Sequence, residues 1–335
     1  MARPRSAPDL YLLSKVSTLY HLRGQTQQEI AVRLHLSRPK VSRLLQEAQD
    51  LGIVQITVAP PQGMYVEVEA RMEERFGLAE AQIVHVDEGQ PTELLRRDLG
   101  TAAATYLSRT IQAGEAIGLA WGTTLSAMVQ AMPPVAATDV RVVQTLGGIG
   151  PPEADAYAAG LVRGLAQRLG ASAVLLSAPA VVGTAAAREI LQSDPHVQSA
   201  LRLIDELDVV FVGIGSLRSN PVLTDGQSLP PGLYAELEAA GAIGDIALRF
   251  FDAQGRLVRT SVDDLILGIS AEQLRDVKRV VAVAGGREKE EAIAAALKTG
   301  TVDVLITDQI TAEALLRGSS PSGSPGAGTG SPPGR

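Results

Sequence analysis

Cysteine is absent from all 335 residues. Its absence excludes a disulfide scaffold, a thiolate nucleophile and a zinc site built on thiolates. Histidine is scarce: His21, His35, His85 and His196 are scattered without metal-ligand spacing, so no metal and no cofactor are expected. No apolar run approaches the roughly 18 residues of a membrane span. The basic start, Arg3 and Arg5, lacks the apolar stretch that follows in a secretory signal. A cytoplasmic protein with no membrane partner is the expectation.

What the chain does have is charge, unevenly placed. The net charge of −7 argues against a nucleic-acid partner until it is divided by region. Residues 1–58 hold eight Lys/Arg against four Asp/Glu, and the remaining 277 hold 22 against 33. That asymmetry fits a small basic module joined to a larger acidic domain. Pro60, Pro61 and Gly63 mark the joint. Residues 318–335 contain 15 Gly, Ser or Pro among 18, a composition unable to bury apolar surface. The expected organisation is therefore a small basic module over 1–60, a large domain over 61–317 and a disordered tail over 318–335.

The first module reads as three helices and a short strand. Asp9 caps a helix with Leu10, Leu13, Val16 and Leu19/Tyr20 on one face, and Gly24 ends it. Thr26 and Glu29 form a capping box for a second helix burying Ile30, Ala31 and Leu34. Ser37 caps a third helix with Pro39 in its first turn. Val41, Leu44, Leu45 and Ala48 face inward, and Gly52 stops the helix. Ile53–Val58 alternates weakly and reads as a strand, giving a winged type of helix-turn-helix.

With those positions inward, Ser37, Arg38, Pro39, Lys40, Ser42 and Arg43 face outward at the third helix's N-terminal end. In a helix-turn-helix that end enters the major groove. Arginine reads guanine bidentately, and Lys and Ser bind phosphates or base edges. Thr26 and Gln27 open the preceding helix toward the backbone. The plainer alternative is a solvated helical hairpin. A module of this size is expected to read operator DNA as a homodimer or homotetramer.

From residue 80 onward, short Val/Ile/Leu runs alternate with helical patterns, as in a doubly wound, mostly parallel α/β sheet. Strands are expected at Gln82–Val86, Ala116–Ala120, Val140–Gln144, Ala173–Leu176, Asp208–Ile214, Ile246–Phe251, Val280–Ala284 and Asp303–Ile306. Helices are expected at Thr92–Gln112, Glu153–Leu169, Val197–Glu206 and Glu288–Lys298. Phe250–Asp252, Gly255 and Leu257–Thr260 look like a hairpin.

Four strand ends are glycine-rich: Gly122-Thr123-Thr124, Thr145-Leu146-Gly147-Gly148, Gly213-Ile214-Gly215 and Gly285-Gly286 followed by Arg287 and Lys289. Ligands of open α/β sheets bind at the carboxyl ends of strands. Glycine there admits an anion to the backbone, and a helix start offers free N–H groups. The Gly122–Thr124 turn suits a phosphate monoester, although it is neither a Walker A loop nor a dinucleotide fingerprint. Arg287 and Lys289 can neutralise such a charge. Asp245 can accept from hydroxyls or cap its own turn. Asp208 reads as a turn residue. Trp121, the one tryptophan, is equally suited to stacking on a sugar and to plugging the core.

The run Gly24–Ala31 (GQTQQEIA) followed by Leu36–Leu45 (LSRPKVSRLL) resembles the helix-turn-helix of the SorC family of sugar-responsive transcriptional regulators. GLAWGTTL (Gly118–Leu125), QTLGG (Gln144–Gly148), SDPHVQSAL (Ser193–Leu201), DVVFVGIGSL (Asp208–Leu217), GAIGDIALRFFD (Gly241–Asp252), VVAVAGG (Val280–Gly286) and the Val302–Thr307 strand follow in the family's order. The resemblance spans about residues 10–317. It implies an effector domain similar to ribose-5-phosphate isomerase and glucosamine-6-phosphate deaminase, binding a phosphorylated sugar. It also implies that Gly122, Thr123 and Thr124 hold the phosphate with Lys289 beside it, while Asp245 binds sugar hydroxyls. The family often carries a basic residue where this chain has Thr145, which argues against a second anionic group or a lysine adduct there.

Two other classes remain open at this point. A phosphosugar isomerase or deaminase with a helical extension needs a positioned general base. Asp245 and Glu189 are the candidates, neither sits in an acid–base pair, and no catalytic residue is assigned. A constitutive DNA-binding structural protein would have a poorly formed pocket at the strand ends.

Overall fold

The computed structural model describes residues 9–55, 64–148, 152–218, 230 and 232–318, with side chains in the helix Pro152–Leu169 described from Ala158. The chain separates into two compact units, Met1–Pro61 and Gln62–Arg335. The Pro60–Gly63 joint and the tail from residue 319 lie outside the described residues.

In the first unit, α1 (Leu10–Ser17) is capped by Asp9, whose carboxylate accepts from Leu12 N–H at 3.0 Å. The helix runs on as a π-turn over Thr18–Leu22, which widens it by one residue before Gly24. Leu13, Val16 and Leu19 are buried. Leu10, expected on the same face, is 60% exposed because it sits at the free end of the helix beyond its neighbours' reach. α2 (Gln27–Arg33) has the Thr26–Glu29 capping box, each side chain satisfying the other's backbone N–H. α3 (Arg38–Asp50) buries Val41, Leu44, Leu45 and Ala48. Its N-cap is Ser37, but the hydroxyl makes no capping hydrogen bond. These residues close one small core with Ile30 and Ala31. Each fully buried Leu, Ile or Val there contributes about 1.5–3 kcal/mol. Residues 53–55 are not a strand, and 56–58 lie outside the described residues, as does the wing they were expected to form.

The second unit is built on a seven-stranded sheet, every neighbouring pair parallel. Its strands are β1 (Glu80–Val84), β2 (Ala116–Leu119), β3 (Arg141–Gln144), β4 (Ser172–Val174), β5 (Val209–Val212), β9 (Val280–Val283) and β10 (Val304–Asp308), in the order β1-β10-β9-β5-β2-β3-β4. β2, β5 and β9 are buried on both faces, as parallel strands between helices must be. The main core runs along both sheet faces. The edge strand β1 is sealed by the helix Val66–Phe76. Glu73 and Glu69 accept from the outward N–H groups of Ala81 and Ile83, both at 2.9 Å, so the edge offers no free ladder there.

A second, three-stranded antiparallel sheet orders β6 (Gly215–Ser216), β7 (Ala242–Ile246) and β8 (Arg249–Asp252). The expected single strand Ile246–Phe251 is instead this β7–β8 hairpin. Ala247 and Leu248 turn it with φ of 51° and 60°. The second hairpin, Phe251 with Leu257 about Gly255, forms as a single bridge. The expected helix Glu288–Lys298 starts at Glu290, after a 3₁₀ turn over Arg287–Lys289. Asp208 does more than turn the chain. Its carboxylate accepts from Ala116 N–H at 2.9 Å and from Lys278 Nζ at 2.7 Å, tying together the starts of β2 and β5.

Candidate functional site

The chain leaves β2 toward β3 and β4 on one side, then returns to β5 on the other side of β2. The carboxyl ends of β2 and β5 therefore flank the point where the winding reverses, the place where open α/β sheets bind ligands.

The turn after β2 carries Gly122, Thr123 and Thr124. Gly122 holds φ of 148° at the N-cap of the helix Thr123–Ala131, a conformation a side chain would strain. No side chain caps this nine-residue helix, so its first N–H groups point out for a partner. Thr123 is exposed and Thr124 is buried. The turn after β5 carries Gly213, Ile214 and Gly215, and Gly215 pairs with Asp245 across β6 and β7. Asp245 is 7% exposed, and its Oδ2 accepts from Leu248 N–H at 3.0 Å, which holds the hairpin turn.

Lys289 comes to the same place from β9. Its Nζ donates to the Ile214 carbonyl at 3.0 Å. Burial pushes the Lys289 pKa down, while Glu288 and Asp245 oppose that shift and Arg96 adds to it. Lys289 and Asp245 therefore stand within electrostatic reach of each other. Gly286, with φ of 100°, is pinned by Asp308 Oδ2 and Thr311 Oγ1, both 2.9 Å from its N–H. Sequence reading missed Asp308 and Thr311, although Asp308 three residues before Thr311 is a helix-cap spacing, observed here.

The other expected residues fall differently. Arg287 is exposed and pairs with Glu88 at 3.1 Å, away from Lys289's carbonyl partner. Gly147 and Gly148 are stitched into the body: Gly147 N–H donates to Leu267 O at 3.0 Å and Gly148 N–H to Ala178 O at 2.9 Å. A Cβ on Gly147 would meet the Ala178 oxygen at 2.5 Å, so this glycine permits close backbone packing. Thr145 is fully buried and its Oγ1 has no hydrogen-bond partner. Trp121 packs, half-buried, against both the main core and the core of the small sheet. Glu189 is exposed on the helix Ala185–Ser193. Among the described residues no group of His, Asp or Glu could hold a metal ion, and no helix is long and apolar enough to cross a membrane.

In the first unit, Ser37, Arg38, Pro39, Lys40, Ser42 and Arg43 are all exposed on α3. Thr26, Gln27 and Arg38 line one concavity with Gly24 and Gln25. The turn and the recognition-type helix thus share one polar face.

The family model for the sugar-binding domain matches residues 61–317. The chain is 33% identical over 309 residues to the deoxyribonucleoside regulator of Bacillus subtilis (strain 168), covering 90% of this chain and 96% of that one. It is 31% identical over 318 residues to the sorbitol operon regulator of Klebsiella pneumoniae, covering 93% and 99%. The crystal structure of the full-length sorbitol operon regulator SorC from Klebsiella pneumoniae matches with a TM-score of 0.70 at 30% identity, over 93% of this chain and 100% of that one. A helix-turn-helix unit followed by a sugar-binding α/β domain defines a DNA-binding transcriptional regulator, not an enzyme. More particularly, the chain belongs to the SorC family of sugar-binding transcriptional regulators.

Proposed function

We propose that the effector is a phosphorylated sugar bound at the ends of β2 and β5, and that its binding changes the protein's affinity for operator DNA. The observation that carries this reading is the Lys289 ammonium held at the Ile214 carbonyl, in electrostatic reach of Asp245, at the switch point. In this reading the uncapped N-terminus at Gly122, Thr123 and Thr124 receives the phosphate and Lys289 supplies its counter-charge. Asp245, Gly213 and Gly215 present acceptors and open backbone to the hydroxyls. Thr145 offers its unpartnered hydroxyl. Gly147 and Gly148 shape the floor, and Arg287 joins only by leaving Glu88.

Residues 1–60 act as the reader and 61–317 as the sensor of a homodimer or homotetramer. Arg38, Lys40 and Arg43 supply base and phosphate contacts, with Ser37, Pro39, Ser42, Thr26 and Gln27 along the same face. The effector binds one packing of the oligomer better than another. That differential affinity shifts the spacing of the reading helices. The test is a panel of sugar phosphates against the full chain, read by thermal shift and by fluorescence anisotropy on a promoter fragment. A sugar phosphate that raises the melting temperature and changes DNA affinity supports the reading. A panel that does neither rejects it.

A further inference from the structure

A cavity lies elsewhere in the larger unit. It has a volume of about 460 Å³ between the helices Ala185–Ser193 and Pro195–Ile204, the strand β8 and the start of the helix Ala271–Asp276. Neither Lys289, Asp245 nor the Gly122–Thr124 turn lines it. That volume falls within the range of about 300–1,000 Å³ typical of small-molecule sites.

Its wall carries four arginines, Arg188, Arg202, Arg249 and Arg259. Four acids, Asp205, Asp263, Asp264 and Glu272, line it as well, and three of them have other partners. Asp205 Oδ1 accepts from Gln273 Nε2 at 2.5 Å. Asp263 Oδ2 accepts from the Thr260 N–H at 2.5 Å and its hydroxyl at 3.0 Å. Glu272 lies 3.8 Å from Arg275, which does not line the cavity.

The arginines are unevenly satisfied. The Arg249 side chain is 11% exposed; its Nε donates to the Ile269 carbonyl at 3.0 Å and its Nη1 pairs with Asp263 at 3.8 Å. Arg188 Nε is buried with no hydrogen-bond partner. Burial works against the charge on Arg249, Asp263 and Glu272 support it, and the neighbouring Arg188 repels it. Four acids thus stand among the four arginines, and what they leave unmet is the buried Arg188 Nε beside the like charge of Arg249, a donor that an added oxyanion would satisfy.

We propose that this cavity is a second ligand site, distinct from the strand-end site, which takes a small metabolite by a phosphate or carboxylate group. The Arg188 and Arg249 guanidiniums grip the oxyanion, whose two oxygens match the fork of N–H donors. Arg259 completes the counter-charge, and Phe250 and Leu257 receive the apolar remainder of the ligand.

The test is isothermal titration of the full chain with inorganic phosphate at low ionic strength, in a Lys289→Met background that weakens the strand-end site. Phosphate binding is expected to persist in Lys289→Met. It is expected to weaken about tenfold or more on adding Arg188→Gln, the loss of a charged hydrogen bond. Arg259→Gln gives the same direction should Arg188→Gln fail to fold, as judged by circular dichroism. The proposal is overturned if phosphate binding disappears with Lys289→Met alone, or if it survives Arg188→Gln and Arg259→Gln unchanged. It is also overturned if these substitutions change the assembly's mass in solution while leaving phosphate binding intact, since the cavity is then a contact between copies. Operator binding is not read in this experiment, so its outcome is independent of the effector reading above.

Discussion

The Lys289 ammonium donates to the Ile214 carbonyl at 3.0 Å, which joins the turn after β9 to the turn after β5. A carbonyl satisfies only one of the three ammonium donors. The remaining donors are what an incoming anion would use. Lys289→Met keeps the apolar stem and removes the charge. Effector affinity is expected to fall about 10–100-fold, the worth of a hydrogen bond to a charged group, with DNA binding in the absence of effector retained. Anisotropy titrations with and without effector separate the two, and an unchanged effector response would remove Lys289 from the site.

The same lysine makes effector binding pH-dependent. Burial is the main cause that lowers its pKa from the ordinary 10.5. An anionic phosphate favours the charged amine, so binding takes up a proton once the pH exceeds the lowered value. Effector affinity is expected to be flat below that value and to decline above it, at lower pH than for an ordinary lysine. Stability without effector moves the other way. The unfolded lysine holds its proton more tightly, so stability rises as the pH climbs from the lowered folded value toward 10.5. Titrations and melts across this range check both slopes, and Lys289→Met should flatten them.

Arg38 and Arg43 are exposed, and Arg43 makes only a 3.4 Å hydrogen bond, to the Pro39 carbonyl of its own helix. Replacing either with Ala should leave the helical circular dichroism and melting temperature unchanged. Each replacement is expected to cost about 1–3 kcal/mol of operator binding. Gel-shift titrations at fixed salt measure it. Equal losses on specific and random DNA would assign a phosphate contact rather than a base contact.

Gly147→Ala places a methyl group 2.5 Å from the Ala178 oxygen and 2.6 Å from Ala180 N, both backbone atoms that cannot step aside alone. Overpacking of this kind costs about 1–3 kcal/mol. The melting temperature of the larger unit should drop, and chemical denaturation gives the magnitude. A neutral result would mean that the segment Ala178–Ala180 moves freely, contrary to its bridge with Gly148.

The buried strands and the glycine turns were legible because both leave local marks: Val-rich runs with helical patterns between them, and residues that alone tolerate the backbone. The order of the strands was not legible, since the pairing of β2 with β5 joins residues about ninety positions apart and no local pattern encodes it. The β7–β8 hairpin hid for a different reason. Its turn uses Ala247 and Leu248 at positive φ, where Asn and Gly usually announce the change of direction. Asp245 supplies the compensation by accepting from Leu248 N–H, a contact invisible until the fold brings the turn together. The site was readable as separate glycine-rich ends. That Lys289 belongs with Gly213–Gly215, and Arg287 with Glu88, depended on how a 3₁₀ turn aims successive side chains.

The pairing of β1 with β10 joins the first strand of the sheet to its last. During synthesis the sensor therefore cannot close until the ribosome has made almost the whole unit. The three-helix unit needs only short-range contacts, and such folds form quickly and early. A growing chain thus carries a finished DNA-reading module while its sensor is still open. β9 waits for β10 with an unpaired edge, the kind of surface that aggregates or recruits proteases. Premature truncation before residue 304 would then be self-limiting: a product able to bind DNA but deaf to its effector is also the product least able to persist.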